Sequence, residues 1–331
     1  MPELHSLTAT VQAPLRLLAV LLAQALRAYG DDVTVVHLGA SGKRWPTRAK
    51  KPTDGVVELP TLDRPDRAEQ LLRWYPGGVL AVGAAIGEVH RFLGDETTGA
   101  GPTDAVLLRR SRWAHAAAPA CRLKIDLRLL EQRARTGESG LHDLPEQQLW
   151  SLERWARALS RRRVAARLAA SDAQGVLNLT AWMLALHDAG VPVDLTAGGG
   201  LGGLVGAFWG VDRDEGLMRL ADLGRPLRRV ERLVGFTRAP VQWFARQHIG
   251  YIVLPEVLRP VYVQASGQVI ETGGLARALR EADREPPSVD QLRARGADLV
   301  LEGDPSAAPG TAAFDEKVRR DALMWEGLAR G

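Results

Sequence analysis

Cysteine is almost absent from this chain: Cys121 is the only one among 331 residues. A single thiol excludes an intramolecular disulfide framework and a cysteine-rich zinc site, and it is typical of a reducing compartment. The seven histidines are scattered and lack the spacing by which two ligands on one helix share a metal ion. The sequence therefore predicts no metal site, and we expect no cofactor.

Long apolar runs are missing as well. The longest mostly apolar stretch, 17–26, is interrupted by Gln24 and flanked by arginines. A membrane-spanning helix needs about 20 apolar residues. The first residues include Glu3 and His5 and lack the basic start of a secretory leader. We therefore expect a cytoplasmic protein without a transmembrane segment.

Lysine is scarce: only five of the 43 basic residues are lysines, and the net charge is +4. Such an arginine bias is typical of a GC-rich genome, and it does not predict nucleic-acid binding. The basic loop 43–51 is typical of a solvated segment, although its composition also suits phosphates or anionic lipid. Peripheral membrane contact therefore stays open.

Hydrophobic patterning predicts an α/β fold in two domains. Buried-strand patterns alternate with helical patterns, which is the order of a parallel sheet. In the first half, strands are predicted at 33–38, 78–83 and 105–108, and helices at 14–28, 63–74 and 86–93. In the second half, strands are predicted at 164–170 and 249–254, and a C-terminal helix at 314–328.

The domain boundary is placed in the stretch 136–145, which contains two glycines and has no periodicity. We therefore expect a small Rossmann-like α/β domain over 1–140 and a second α/β domain over 146–331.

The most informative segment is 191–209, where a short strand leads into a glycine-rich turn and the start of a helix. Five of the six positions from 198 to 203 are glycine. One interpretation is a dinucleotide-binding turn, because Gly198, Gly200 and Gly203 satisfy the pattern G-x-G-x-x-G.

Two other interpretations of these glycines are compatible with each other. One is a nucleophile elbow of the form G-x-S-x-G, in which Gly200 occupies the serine position. The other is close backbone packing, because Gly198, Gly202 and Gly206 recur at four-residue spacing.

The segment Leu186-His-Asp-Ala-Gly-Val-Pro-Val-Asp-Leu195, the glycine turn and Val205-Gly-Ala-Phe-Trp209 resemble the patatin-like phospholipases. The closest branch is the neuropathy-target-esterase-like hydrolases, without their cyclic-nucleotide-binding domains. Val269-Ile-Glu-Thr-Gly-Gly274 lies where this family has its Asp-Gly-Gly motif, and Gly296-Ala-Asp-Leu-Val-Leu301 resembles the strand that follows. The resemblance implies a patatin-like domain over 146–331, a Ser–Asp catalytic dyad and a glycine-rich oxyanion loop.

All three catalytic motifs of that family are degenerate in this chain. The nucleophile position is Gly200, the dyad aspartate position is Thr272, and the oxyanion loop corresponds to 169–175, where only Gly175 is glycine. Glycine has no hydroxyl to attack an ester, and threonine cannot accept a proton as a carboxylate does. We therefore hypothesise a pseudoenzyme that binds an acyl lipid or a protein partner.

Two alternatives remain beside this hypothesis. Ser171 is the candidate for a displaced nucleophile in an active (lyso)phospholipase or serine esterase, although Ser171 or Asp172 also suits the cap of the following helix. The second alternative is a dinucleotide-binding protein. The candidate ligand-pocket residues lie at the glycine turns and on two tryptophans that suit either an acyl cleft or the core: Gly198, Gly199, Gly200, Gly202, Gly273, Trp182 and Trp209.

Overall fold

The computed structural model forms two compact units, Met1–Ser160 and Arg161–Gly331. The residues it describes are 4–7, 15–39, 44–53, 55–60, 65–83, 113–114, 125–126, 132, 136, 141, 144–235, 238–254, 257 and 259–330. Within these ranges, no helix has the length and apolar character needed to cross a bilayer.

The first unit is built on a parallel sheet of four strands, in the order β1-β4-β2-β3. Its elements are β1 (Leu4–Leu7), α1 (Leu15–Arg27), β2 (Thr34–Leu38), β3 (Val56–Leu59), α2 (Pro65–Trp74), β4 (Val79–Gly83), the short antiparallel pair β5 (Trp113–Ala114) and β6 (Ile125–Asp126), and α3 (Glu146–Leu159).

Both faces of this sheet are covered, because successive strand residues point to opposite sides. Val35 packs with α1 and α3 on one face, whereas its neighbour Val36 packs with α2 on the other. Trp155 of α3 is fully buried in the first of these cores. Helix α3 therefore belongs to the first compact unit, which ends at Ser160.

The second unit contains a five-stranded sheet in the order β10-β9-β8-β7-β11, which is parallel except for β10. Its elements are β7 (Val164–Ala170), α4 (Ala173–Asp188), β8 (Val193–Gly200), α5 (Gly202–Asp222), α6 (Gly224–Val234), α7 (Arg238–Ile249), β9 (Val261–Ala265), β10 (Gln268–Ile270), α8 (Leu275–Glu281), α9 (Val289–Arg293), β11 (Leu299–Glu302) and α10 (Ala312–Arg330).

The main core of the second unit lies between one face of this sheet and the longer helices. Ala166 and Leu168 of β7 point into it together with Phe208 of α5 and Phe244 of α7. The opposite face, represented by Ala165, packs against a smaller cluster that includes α9.

The α/β class predicted from the sequence is confirmed, and the strand at 164–170 has the predicted bounds. The strand predicted at 249–254 is wrong: α7 ends at Ile249, and Val253 makes only a single bridge, with Gly274. A short apolar run does not by itself distinguish a strand from the end of a buried helix. The elements predicted at 86–93 and 105–108 lie outside the described residues.

The glycines at four-residue spacing bring α5 against the sheet. A Cβ on Gly198 would lie 2.3 Å from the Cα of Gly203, and one on Gly202 would lie 2.1 Å from the carbonyl oxygen of Leu168. A Cβ on Gly206 would lie 2.8 Å from the Thr196 hydroxyl oxygen. These separations are shorter than van der Waals contact, so the approach of helix to strand depends on glycine.

We predict that Gly202→Ala lowers the free energy of unfolding by about 2–3 kcal/mol, because its Cβ would overlap a backbone carbonyl that cannot rotate away. The matched control is Gly327→Ala in α10, where nothing lies within 4 Å of the added Cβ. That control is expected to raise the free energy of unfolding by about 0.5–1 kcal/mol. Urea denaturation measures both changes, and equal midpoints would contradict the packing role.

Candidate functional site

The candidate site lies at the carboxyl ends of β7 and β8, one strand away from the point between β7 and β11 at which the strand order reverses. The chain runs from β7 through β8, β9 and β10 in one direction and then returns to β11 on the other side of β7. Ligands of open α/β sheets bind outside the carboxyl ends of the strands at such a reversal. Ala170 and Gly200 are the last residues of the two strands at this edge.

Gly200 forms a sharp turn between β8 and α5. Its φ is +54°, in the left-handed region, and the helix begins only two residues later at Gly202. This is the strand–turn–helix arrangement of a nucleophile elbow, with glycine at the nucleophile position. A Cβ at this position would lie 2.6 Å from the carbonyl oxygen of Ala170. The turn therefore leaves no room for the serine side chain that an elbow enzyme carries.

The backbone N–H groups of the elbow are already used. The Leu201 N–H donates to the Ala170 carbonyl at 2.8 Å, and the Gly200 N–H donates to the Asp283 carbonyl at 2.7 Å. In elbow hydrolases, the N–H of the residue after the nucleophile helps to bind the oxyanion. A dinucleotide-binding turn likewise needs its N–H groups for the pyrophosphate. Because both N–H groups already donate to carbonyls, neither is free to bind an oxyanion or a pyrophosphate.

Residues 283–287, here called the covering segment, lie directly against the elbow. A Cβ on Gly199 would lie 2.4 Å from both the Arg284 carbonyl oxygen and the Pro286 nitrogen. The main chain of this segment therefore occupies the space beside the last glycines of β8.

Hydrogen bonds hold the covering segment at both ends. The Asp283 N–H donates to the Gln264 carbonyl at 2.6 Å, and the Arg167 Nε donates to the Pro287 carbonyl at 2.8 Å. The Asp283 carboxylate accepts from the N–H groups of Ser266 and Gly267 at 3.2 and 3.1 Å. Nothing in the sequence indicated that this segment meets the elbow, although Pro286 and Pro287 do predict a break in secondary structure there.

In the segment 169–175, which the resemblance aligns with an oxyanion loop, two backbone N–H groups donate to carboxylates. Asp172 is the N-cap of α4 and accepts from the Gly175 N–H at 2.6 Å, which confirms the capping interpretation for this residue. Glu231 accepts from the Ala173 N–H at 3.1 Å. Two negative groups beside these donors oppose a developing oxyanion, since like charges repel. Ser171 is exposed beside them.

The turn at 272–274, which the resemblance aligns with an Asp-Gly-Gly motif, has glycine at 273 but no carboxylate at 272. Thr272 is exposed, and Gly273 has a φ of +92° while its carbonyl accepts from the Leu254 N–H at 2.8 Å. The neighbouring Glu271 carboxylate lies 2.6 Å from the Arg295 guanidinium. This ion pair already occupies the carboxylate nearest to position 272.

Trp182 is buried in the main core of the second unit. Its Nε1 donates to the Asp321 carboxylate at 2.9 Å, and the Lys317 ammonium lies 4.8 Å from its ring centroid. Lys317 also forms an ion pair with Asp321. Burial, partly offset by its bond to Asp321, lowers the pKa of Lys317. Trp182 therefore links α4 to α10 through a buried hydrogen bond.

Trp209 is also buried in the main core, with 2% of its surface exposed. The Arg259 guanidinium lies 4.5 Å from its ring centroid, and the His187 ring approaches its edge at 6.3 Å between centroids. The Trp209 Nε1 has no hydrogen-bond partner among the described residues. The sequence allows two positions for Trp182 and Trp209, in the core or in the lining of an acyl cleft. In the structure both side chains lie in the core.

One serine at this edge of the sheet does donate to a carboxylate, and the sequence did not indicate it. The Ser306 hydroxyl lies 2.6 Å from Asp304 Oδ1, and its N–H donates to the same oxygen at 2.9 Å. These bonds lower the pKa of Asp304. A carboxylate with a lowered pKa is a weaker general base, so this local turn is a poor substitute for a catalytic dyad.

No protein-family model matches the chain, and no curated protein matches its sequence. Among the residues that the structure describes, no group of three or more His, Cys, Asp or Glu side chains is placed to hold a metal ion.

We predict that Asp321→Ala lowers the free energy of unfolding by about 3–5 kcal/mol, because it leaves a buried ammonium and a buried indole N–H without their acceptor. Glu316→Ala is the matched control in the same helix, since Glu316 pairs with Arg319 at an exposed site. That change is expected to cost less than about 1 kcal/mol. Equal losses of unfolding free energy in the two variants, measured by chemical denaturation, would show that the buried network stabilises the protein no more than an exposed ion pair does.

Proposed function

We propose that the chain is a catalytically inactive patatin-like protein that acts by binding an acyl lipid or a protein partner. A Rossmann-like α/β unit precedes its patatin-like unit in this proposal. The resemblance in sequence is supported by the order of the parts: strand β7, capped helix α4, strand β8, a sharp glycine turn, helix α5, a Gly-Gly turn and strand β11. We place the protein in the cytoplasm, with contact to the membrane surface.

The closed elbow carries the proposal that hydrolysis is lost. Glycine at position 200 removes the nucleophile, the Ala170 carbonyl fills the space of a side chain, and the Leu201 N–H is used within the backbone. Loss of a single oxyanion donor already lowers kcat by about 10²–10³-fold. Loss of the nucleophile together with that donor leaves no practical route to ester cleavage.

The same geometry limits where a ligand binds. The covering segment and the Ala170 carbonyl occupy the space beside Gly199 and Gly200. An acyl chain or a partner segment is therefore bound outside the elbow, while the glycine turn keeps a structural role. The proposed protein therefore differs from an inhibited hydrolase. An inhibited hydrolase has a complete active site that becomes accessible when a covering segment moves away.

Reaction with a fluorophosphonate probe tests the loss of catalysis. We expect no adduct by intact mass for the wild-type protein, under conditions in which an active patatin-like hydrolase is labelled fully. We also expect no adduct for Gly200→Ser, because the restored hydroxyl would be attached to a Cβ that overlaps the Ala170 carbonyl oxygen. Gly200→Ala, which carries the same Cβ without the hydroxyl, is the control for folding and should match it in unfolding midpoint.

A stoichiometric adduct on the wild-type protein would overturn the proposal. Mapping that adduct to Ser171, with its loss in Ser171→Ala, would establish the displaced-nucleophile hydrolase instead. Labelling of folded Gly200→Ser alone would show that the elbow is open and lacks only its hydroxyl.

A further inference from the structure

Helices α6 and α7 carry a concentration of arginine that the proposed function does not yet explain. Residues 224–251 contain six arginines and a single acidic residue, Glu231. In α6, Arg225, Arg229 and Arg232 are exposed, and in α7 Arg246 is exposed. None of these four guanidinium groups forms an ion pair within the part of the chain that the structure describes. Within the described residues, no acidic side chain neutralises these four arginines.

The single acidic residue of the segment is turned toward the protein. Glu231 is partly buried, and its carboxylate accepts the Ala173 N–H at the start of α4. Leu227 of α6 and Phe244 of α7 are fully buried and anchor the two helices to the main core. The sides of the helices that face away from this core are therefore cationic and free of acidic residues.

Large apolar side chains are exposed on the same segment. Leu233 at the end of α6 is 72% exposed, Trp243 in α7 is 58% exposed, and Tyr251 just after α7 is 85% exposed. Arg246 stacks on the Tyr251 ring, with 5.3 Å between the guanidinium carbon and the ring centroid. Isolated exposed apolar residues are common, but an aliphatic and two aromatic residues among unpaired arginines form a distinct composition.

We propose that this surface, here called the α6–α7 face and defined by the exposed arginines and apolar residues just named, docks on an anionic membrane. Lipid phosphates pair with the guanidinium groups, while Leu233, Trp243 and Tyr251 enter the boundary between headgroups and acyl chains. Tyrosine and tryptophan favour that boundary because one part of the ring is apolar and the other polar. The inference deepens the proposed function and rests on its statement that the protein contacts the membrane surface.

A bilayer fits this face better than two other occupants. A second copy related by a two-fold axis would bring arginine against arginine, and the face has no exposed acid to compensate. A nucleic acid supplies phosphates and stacking bases, but it offers no apolar layer for Leu233. A membrane with anionic headgroups supplies both phosphates and an apolar layer.

The test is vesicle binding with ether-linked lipids, which contain no ester and therefore exclude any effect of hydrolysis. Flotation compares vesicles of phosphatidylcholine with vesicles that include about one third phosphatidylglycerol. Each arginine near an anionic surface contributes about fivefold in partition, so we expect the triple variant Arg225→Gln/Arg229→Gln/Arg232→Gln to bind about a hundredfold more weakly. Binding should also fall as salt is added.

The matched control removes three exposed arginines that are already paired with acids elsewhere: Arg293→Gln/Arg319→Gln/Arg330→Gln. This variant has the same net charge as the first, and we expect it to retain partition within about threefold of the wild type. Brominated acyl chains should quench the tryptophan fluorescence of the wild-type protein. Most of this quenching should be absent in the Trp243→Phe variant.

Equal binding to neutral and anionic vesicles, or no binding to either, would overturn the inference. Equal losses in the two triple variants would reduce it to a general effect of net charge. A concentration-dependent dimer that the first triple variant abolishes, or tight binding of single-stranded RNA without bromolipid quenching, would assign the face to another occupant. The fluorophosphonate result does not depend on these outcomes, so the two proposals can fail separately.

Discussion

The hydrogen bond from the Leu201 N–H to the Ala170 carbonyl joins the ends of β7 and β8, and the arrangement of the site depends on it. This bond brings the carbonyl oxygen into the space where a side chain on Gly200 would lie. It also uses the donor that an elbow hydrolase reserves for its oxyanion. Buried backbone groups are almost always paired, so a chain without a substrate anion in this turn satisfies the donor internally. In the proposed function, this one bond both stabilises the turn and removes a donor that ester hydrolysis would need.

The surrounding groups complete this internal pairing. The covering segment accepts the Gly200 N–H, and Asp172 and Glu231 accept N–H groups at the start of α4. In an empty anion-binding site such N–H donors are unpaired. Here the same donors already form hydrogen bonds to carboxylates and carbonyls. Recognition is therefore expected at the surface. The orientation of Glu231 affects both the elbow region and the surface of α6. Its carboxylate stabilises the start of α4, and the outer side of α6 is left cationic.

Local patterns predicted the parts of the fold that depend on neighbouring residues. The apolar run of β7, the capping position of Asp172 and the helix start after the glycines are encoded within a few positions. Contacts between distant positions were not predictable: Trp182 meets Asp321 at a separation of 139 positions, and the covering segment meets Gly200 from more than 80 positions away. The strand wrongly predicted at 249–254 illustrates the same limit, because tertiary packing assigns Ile249 to the end of α7.

Native-state hydrogen exchange at the elbow tests the central claim most directly. If the turn is closed by the bonds to Ala170 and Asp283, the amide hydrogens of Leu201 and Gly200 exchange only through large-scale opening. Their opening free energies should then approach that of global unfolding and should remain unchanged when an ester analogue is added. Exchange of either amide at the rate of an exposed, unstructured backbone would contradict the account, because it would reveal an open elbow whose donors are free to bind an anion.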